Sequence, residues 1–161
     1  MIPKQIQDQC PAVLSFHGYS GNAGDWYNML GYATCGFVTA AMDCRGQGGL
    51  SQDSGSVSGM TLRGHFVRGL NDCPENLLFR HIFLDTAQLA GLIIETDEVN
   101  SKHVGAKGGS QGGALTLVCG ALEPRINRLL SLYPFLCDYK RVWEMDLDID
   151  AYEELKYFMR K

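Results

Sequence analysis

The sequence lacks the features that would direct it to a membrane, a nucleic acid or a disulfide scaffold. No apolar stretch among its 161 residues approaches the roughly 20 residues of a membrane span. There is no basic run, and 14 lysines and arginines against 18 carboxylates leave a formal charge of −4. That balance argues against nucleic acid or an anionic membrane as the main partner. The polar opening, MIPKQIQDQCPAV, has no signal-peptide apolar segment, so the cytoplasm is the expected compartment. Six cysteines are present (Cys10, Cys35, Cys44, Cys73, Cys119, Cys137), but no C-x-x-C pair. Several stand in apolar runs such as LVCGAL, so buried free thiols are expected rather than disulfides or a zinc site. Histidine is scarce: His17, His65, His81 and His103 are the four, and none follows residue 103.

What is present fits one domain with a real hydrophobic core: 45% of residues are hydrophobic and 20% charged. AVLSF (12–16) and FVTAAMD (37–43) are short apolar runs ending at glycine-rich segments, and read as buried strands. Between them DWYNMLGYATCG reads as a helix, with Asp25 to cap it and Gly36 to end it. Residues 46–60 are rich in Gly, Ser and Asp and read as a loop. Apolar residues at helical spacing predict a long helix over 78–98. KHVGAK (102–107) is a third strand, GALTLVCGALEP a helix stopped before Pro124, INRLLSLYPF a fourth strand, and DIDAYEELKYFMRK an amphipathic helix. Alternating strands and helices predict an α/β fold, a mostly parallel sheet with helices on both faces.

Nineteen glycines are not spread evenly, and the densest group is VGAKGGSQGG (104–113). Within it Gly108-Gly109-Ser110-Gln111-Gly112 matches G-x-S-x-G, after an expected strand and opening an expected helix. That is the context of a nucleophile elbow. Side chains two residues before and two after the serine would collide in so tight a turn. A helix N-terminus there aims N–H groups at developing negative charge. Two readings compete. A tight turn with an incidental serine needs no chemistry. Nucleotide binding would need either G-x-G-x-x-G in register or Gly-Lys-Ser/Thr, whereas Lys107 precedes the glycines. A second segment, FHGYSGNAGDW (16–26), follows the first strand. It resembles the His-Gly loop that supplies a second oxyanion donor. This makes the backbone N–H groups of Tyr19 and Gln111 the candidate pair.

HGYSGN…GDW, DCRGQGG, GGSQGG and PFLC (134–137) stand in this order, with TLRGHFVRGLND (61–72) before the long helix. On these motifs the chain resembles the acetyl xylan esterase / cephalosporin C deacetylase family of carbohydrate esterases, over nearly all of 11–161. The resemblance implies an α/β-hydrolase fold, a three-layer sandwich incomplete at both ends. Residues 1–161 would be a partial domain, and 135–161 the start of a helical insertion. It implies a serine carboxylesterase that removes acetyl groups from xylo-oligosaccharides or other small esters, without metal or cofactor. Its partners would be a small acetylated carbohydrate and copies of itself, commonly in a hexamer. Ser110 resembles the nucleophile, and the N–H groups of Tyr19 and Gln111 the oxyanion hole. Arg45 and Gln47 match the family's Arg-Gly-Gln signature, with a role in bracing the loops or in contacting substrate.

The same pattern exposes a gap. In α/β-hydrolases the order is serine, acid, histidine, yet no histidine follows Ser110 here. His17, near the oxyanion loop, and His65, in a loop, are the candidate replacement bases. His103 is expected at the wrong end of the sheet and His81 on the long helix. Acids do follow, at Asp138, Glu144, Asp146, Asp148 and Asp150. The resemblance places the triad aspartate and histidine later still, so the chain by itself is expected to be nearly inert. Other possibilities are an inactive sugar-binding or assembly paralogue, or another α/β-hydrolase activity such as peptidase or thioesterase. An uncovered sheet face and an unpaired edge are further expectations.

Overall fold

The computed structural model describes residues 1–4, 9–53, 64–145 and 150–160. Parts of two expected segments, the loop over 46–60 and TLRGHFVRGLND, lie outside the described residues, as do Asp146 and Asp148. Four strands form one parallel sheet: β1 (Cys10–Phe16), β2 (Val38–Met42), β3 (Val99–Gly109) and β4 (Arg128–Leu132), in the order β2-β1-β3-β4. Helices α1 (Leu30–Thr34), α2 (Leu78–Ile94) and α3 (Gln111–Leu122) connect them. Two short helices follow, α4 (Tyr139–Glu144) and α5 (Glu153–Met159).

The period of two in β1 decides what each sheet face becomes. Ala12, Leu14 and Phe16 are buried, and pack with Ala106 of β3 and Leu115 of α3 in the main core. On α2, Leu78, Phe79, Ile82, Thr86, Ala90 and Ile94 are buried, a stripe at helical spacing. The first six residues of α3, Gln111 to Thr116, are all buried, because this helix lies between the sheet and α2. Val13, Ser15 and Lys107 point to the opposite face. There α1 brings Tyr32, whose ring lies under the Lys107 ammonium at 4.6 Å.

Several boundaries differ from the sequence reading. The long helix stops at Ile94, four residues short of the expected end. The chain turns at Thr96 and starts β3 at Val99, whose buried side chain joins the core. The helix expected after Asp25 is a 3₁₀ turn, Trp26–Met29, followed by the single turn of α1. The Asp25 side chain makes no capping bond, and Gly36, at φ +86°, ends the segment. The terminal helix opens with a 3₁₀ turn, Asp150–Tyr152, before α5.

The cysteines are free thiols as expected, but fewer are buried than their apolar surroundings suggested. Cys44 and Cys119 are buried free thiols, which burial pushes up to about 12 and about 11. Cys35, Cys73 and Cys137 are exposed, because they fall at the ends of helices and in turns rather than on core faces. Among the described residues no helix is long and apolar enough to cross a membrane.

Candidate active site

One residue separates β3 from α3, and it is Ser110. Its backbone sits at φ 56°, ψ −122°, a positive-φ conformation that an L residue adopts only when its surroundings enforce it. Those surroundings are close backbone. A Cβ on Gly108 would collide with the Gly112 carbonyl, and a Cβ on Gly112 would collide with the Phe16 carbonyl of β1. Hydrogen bonds hold the turn from both sides. The Ser110 N–H donates to the Leu132 carbonyl at 3.1 Å. The Ser110 carbonyl accepts from Ala114 at 3.2 Å and from Phe135 at 2.9 Å. Ser110 is half-buried at the carboxyl end of the sheet and at the N-terminus of a 12-residue helix.

The loop after β1 lies beside this turn. Among the described residues no acceptor takes the backbone N–H of Tyr19 or of Gln111. The loop is stitched to the one after β2 by polar contacts. The Ala23 and Leu50 N–H groups donate to the two carboxylate oxygens of Asp43 at 2.6 and 2.8 Å. Cys44 N–H donates to His17 Nε2 at 3.0 Å. The His17 proton is therefore on Nδ1, which donates to the Gly18 carbonyl at 2.7 Å. With both ring nitrogens engaged by backbone, and burial holding its pKa below the ordinary value, His17 braces the loop after β2.

Gln47 is fully buried, which excludes direct contact with a substrate in this structure. Its Oε1 accepts from the Ser20 N–H at 3.0 Å and from Gln111 Nε2 at 3.1 Å, while its Nε2 donates to Gln111 Oε1 at 3.0 Å. One amide thus ties the residue after Tyr19 to the residue after Ser110. Arg45 points elsewhere. Its guanidinium grips Asp85 of α2 with two bonds, Nε to Oδ2 at 2.7 Å and Nη2 to Oδ1 at 2.6 Å, and braces the loop after β2 on that helix.

The other histidines have settings of their own. His65 is buried, with Nε2 at 3.2 Å from Ser20 Oγ. Burial first, then the positive charge of Arg68 and the neighbouring His17, push it down to about 4. His81 is half-buried on α2. His103 is exposed within β3, not at its start, and lines a groove on the open sheet face. Among the described residues none of the four bonds to Ser110, and no group of three metal-ligating side chains gathers. Asp138 caps α4, accepting from Arg141 N–H at 3.3 Å.

Three supporting residues escaped the sequence reading: Asp43, Phe135 and Glu154, whose carboxylate meets the Tyr19 hydroxyl at 2.8 and 2.9 Å. Asp43 had a local signal, an acid closing a strand before a glycine turn. The other two had none.

Comparison with known proteins gives concordant results. Residues 1–161 match the family model described as acetyl xylan esterase (AXE1). The crystal structure of acetyl xylan esterase 1 from Thermoanaerobacterium sp. JW/SL YS485 is 55% identical, with a TM-score of 0.93 over 99% of this chain and 50% of that one. An acetyl xylan esterase from Paenibacillus sp. R4 is 31% identical, with a TM-score of 0.88 over 99% and 50%. Acetyl esterase Axe7A of Xylanibacter ruminicola is 29% identical over 111 residues, 66% of this chain and 25% of the relative. The chain therefore spans about half the length of these solved structures and a quarter of that curated relative.

Proposed function

Because the chain belongs to the acetyl xylan esterase family and its four strands are part of an α/β-hydrolase sheet, we propose that it serves carboxylic ester hydrolysis with Ser110 as nucleophile. Ser110 Oγ attacks the acetyl carbonyl, and the N–H groups of Tyr19 and Gln111 hold the oxygen as it becomes negative. The alcohol leaves with a proton, and water then releases acetate from acetyl-Ser110. The substrate class is a small acetyl ester, acetylated xylo-oligosaccharides first, with the acetyl ester of cephalosporin C sharing only the acetyl group. The same reading places the protein in the cytoplasm as a homo-oligomer.

The observation that carries this reading is the turn at Ser110, where two glycines are required by backbone approach and a positive φ is spent on one hydroxyl. No histidine of 1–161 bonds to Ser110 among the described residues. The proposal therefore assigns the base, and the aspartate that orients it, to residues outside 1–161.

Hydrolysis of 4-nitrophenyl acetate and acetylated xylo-oligosaccharides by the full-length protein tests it. Ser110→Ala should lower kcat/KM by about 10⁴-fold or more. Acetyl-ester turnover unaffected by that change overturns the proposal. Binding of acetylated sugar with no turnover in the unaltered protein supports instead a sugar-binding paralogue.

A further inference from the structure

In the reading above Tyr19 acts through its backbone, and its side chain has no assigned task. Yet that side chain is among the most heavily engaged in the molecule. Its hydroxyl lies 2.8 and 2.9 Å from the two carboxylate oxygens of Glu154 on α5, 135 residues away in sequence. The same oxygen accepts the His65 backbone N–H at 2.9 Å. Burial, reinforced by the Glu154 carboxylate, keeps the phenol above its ordinary pKa, so it remains a donor. A hydroxyl donating to a carboxylate makes one of the stronger hydrogen bonds available to a side chain. The ring is held as well: edge-on to His65 at 4.9 Å and to Phe135 at 5.7 Å, and tilted on Phe66 at 5.9 Å. Phe135 in turn donates its N–H to the Ser110 carbonyl.

Tyr19 has few remaining degrees of freedom once its hydroxyl and ring are fixed. That fixes Cβ and narrows the swing left to Cα and to the peptide plane carrying its N–H. We propose that Glu154 is a positioning residue for the oxyanion site: by anchoring the Tyr19 hydroxyl it sets where the Tyr19 N–H points. This inference rests on the reading of Ser110, Tyr19 and Gln111 given above. It makes α5 part of the site's framework, although α5 supplies no group to the reacting atoms. A residue that only docked α5 on the body would affect stability and leave the oxyanion site unchanged.

The test is the affinity of the full-length protein for an alkylboronic acid, which forms a tetrahedral adduct on a nucleophilic serine and fills an oxyanion site. Kinetics on 4-nitrophenyl acetate and the melting temperature are read alongside. Glu154→Ala should weaken boronate binding and lower kcat about tenfold with little change in KM, since displacing an oxyanion donor costs less than the 10²–10³ of removing one. Tyr19→Phe, which keeps the ring and removes the hydroxyl, should match it. The double variant should be no worse than either single one. Glu154→Gln, which retains an acceptor, should recover to within about threefold of the unaltered protein. Tyr19→Phe carries the test if Glu154→Ala fails to fold. The inference is overturned if Tyr19→Phe leaves boronate affinity unchanged, if the two single effects add, or if Glu154→Gln is as weak as Glu154→Ala. Boronate binding that is absent, or indifferent to Ser110→Ala, instead overturns the assignment of Ser110, and the two failures are thereby told apart.

Discussion

The carboxyl end of the sheet and its open face are built from the same four strands, and they differ in how much each position is constrained. At the carboxyl end, glycines meet backbone within collision distance, and Asp43, His17, Gln47 and Gln111 each hold a partner on another loop. On the face opposite α2 and α3, Val13, Tyr32, Phe37, Lys107 and Leu130 line an apolar groove of about 620 Å³. There Leu130 and Leu132 of the edge strand are 53% and 46% exposed. The site end is determined by backbone and polar contacts that tolerate little change, and within residues 1–161 the opposite face is held by fewer such contacts.

The sharpest way to break this contrast is at Gly112. Gly112→Ala drives a methyl into the Phe16 carbonyl and should destabilise the chain by more than about 3 kcal/mol, read as a fall in the denaturant midpoint. Gln47→Ala should come next, at about 2–4 kcal/mol, since it leaves the Ser20 N–H and the Gln111 amide without their partner in a buried place. A mild effect at either position would erase the distinction between the two regions.

Acidification probes the same end without a mutation. The folded-state pKa of His65 is about 4, below its unfolded value of 6.5. Its neutral form is therefore favoured by folding, and the contribution is fully present above about pH 6.5. It is lost as pH falls toward 4, because the unfolded chain binds the proton more readily. Unfolding free energy should drop across that window by on the order of 2–3 kcal/mol, and His65→Gln should flatten the profile. The smallest effect is expected on the open face. Lys107→Met, which removes the cation from over Tyr32, should cost about 0.5–1 kcal/mol in chemical denaturation. A larger loss would mean that the open face is as constrained as the site.

How much of this was legible in the sequence follows from distance along the chain. The elbow was readable because its glycine requirement is local: Gly108 and Gly112 flank Ser110 within four residues. The strands were readable as short apolar runs closed by glycine-rich segments, and α2 from its helical period. The Gln47–Gln111 pair spans 64 residues and Tyr19–Glu154 spans 135; polar pairs so far apart leave no period or spacing to detect. Lys107, a charge near the end of an apolar strand, is explained by the face it occupies, over the Tyr32 ring. Helix α4 had no apolar stripe to announce it, and the residue that caps it, Asp138, is in a left-handed conformation.

The central claim is that the Ser110 hydroxyl and the N–H groups of Tyr19 and Gln111 converge on one carbonyl group, the hydroxyl on its carbon and the N–H groups on its oxygen. A crystal structure of the full-length protein with an alkylboronic acid tests it most directly. The account predicts a tetrahedral boron bonded to Ser110 Oγ, with one boron oxygen about 2.7–3.1 Å from both backbone nitrogens. A boron bound elsewhere, or an adduct whose oxygens reach neither nitrogen, would contradict it.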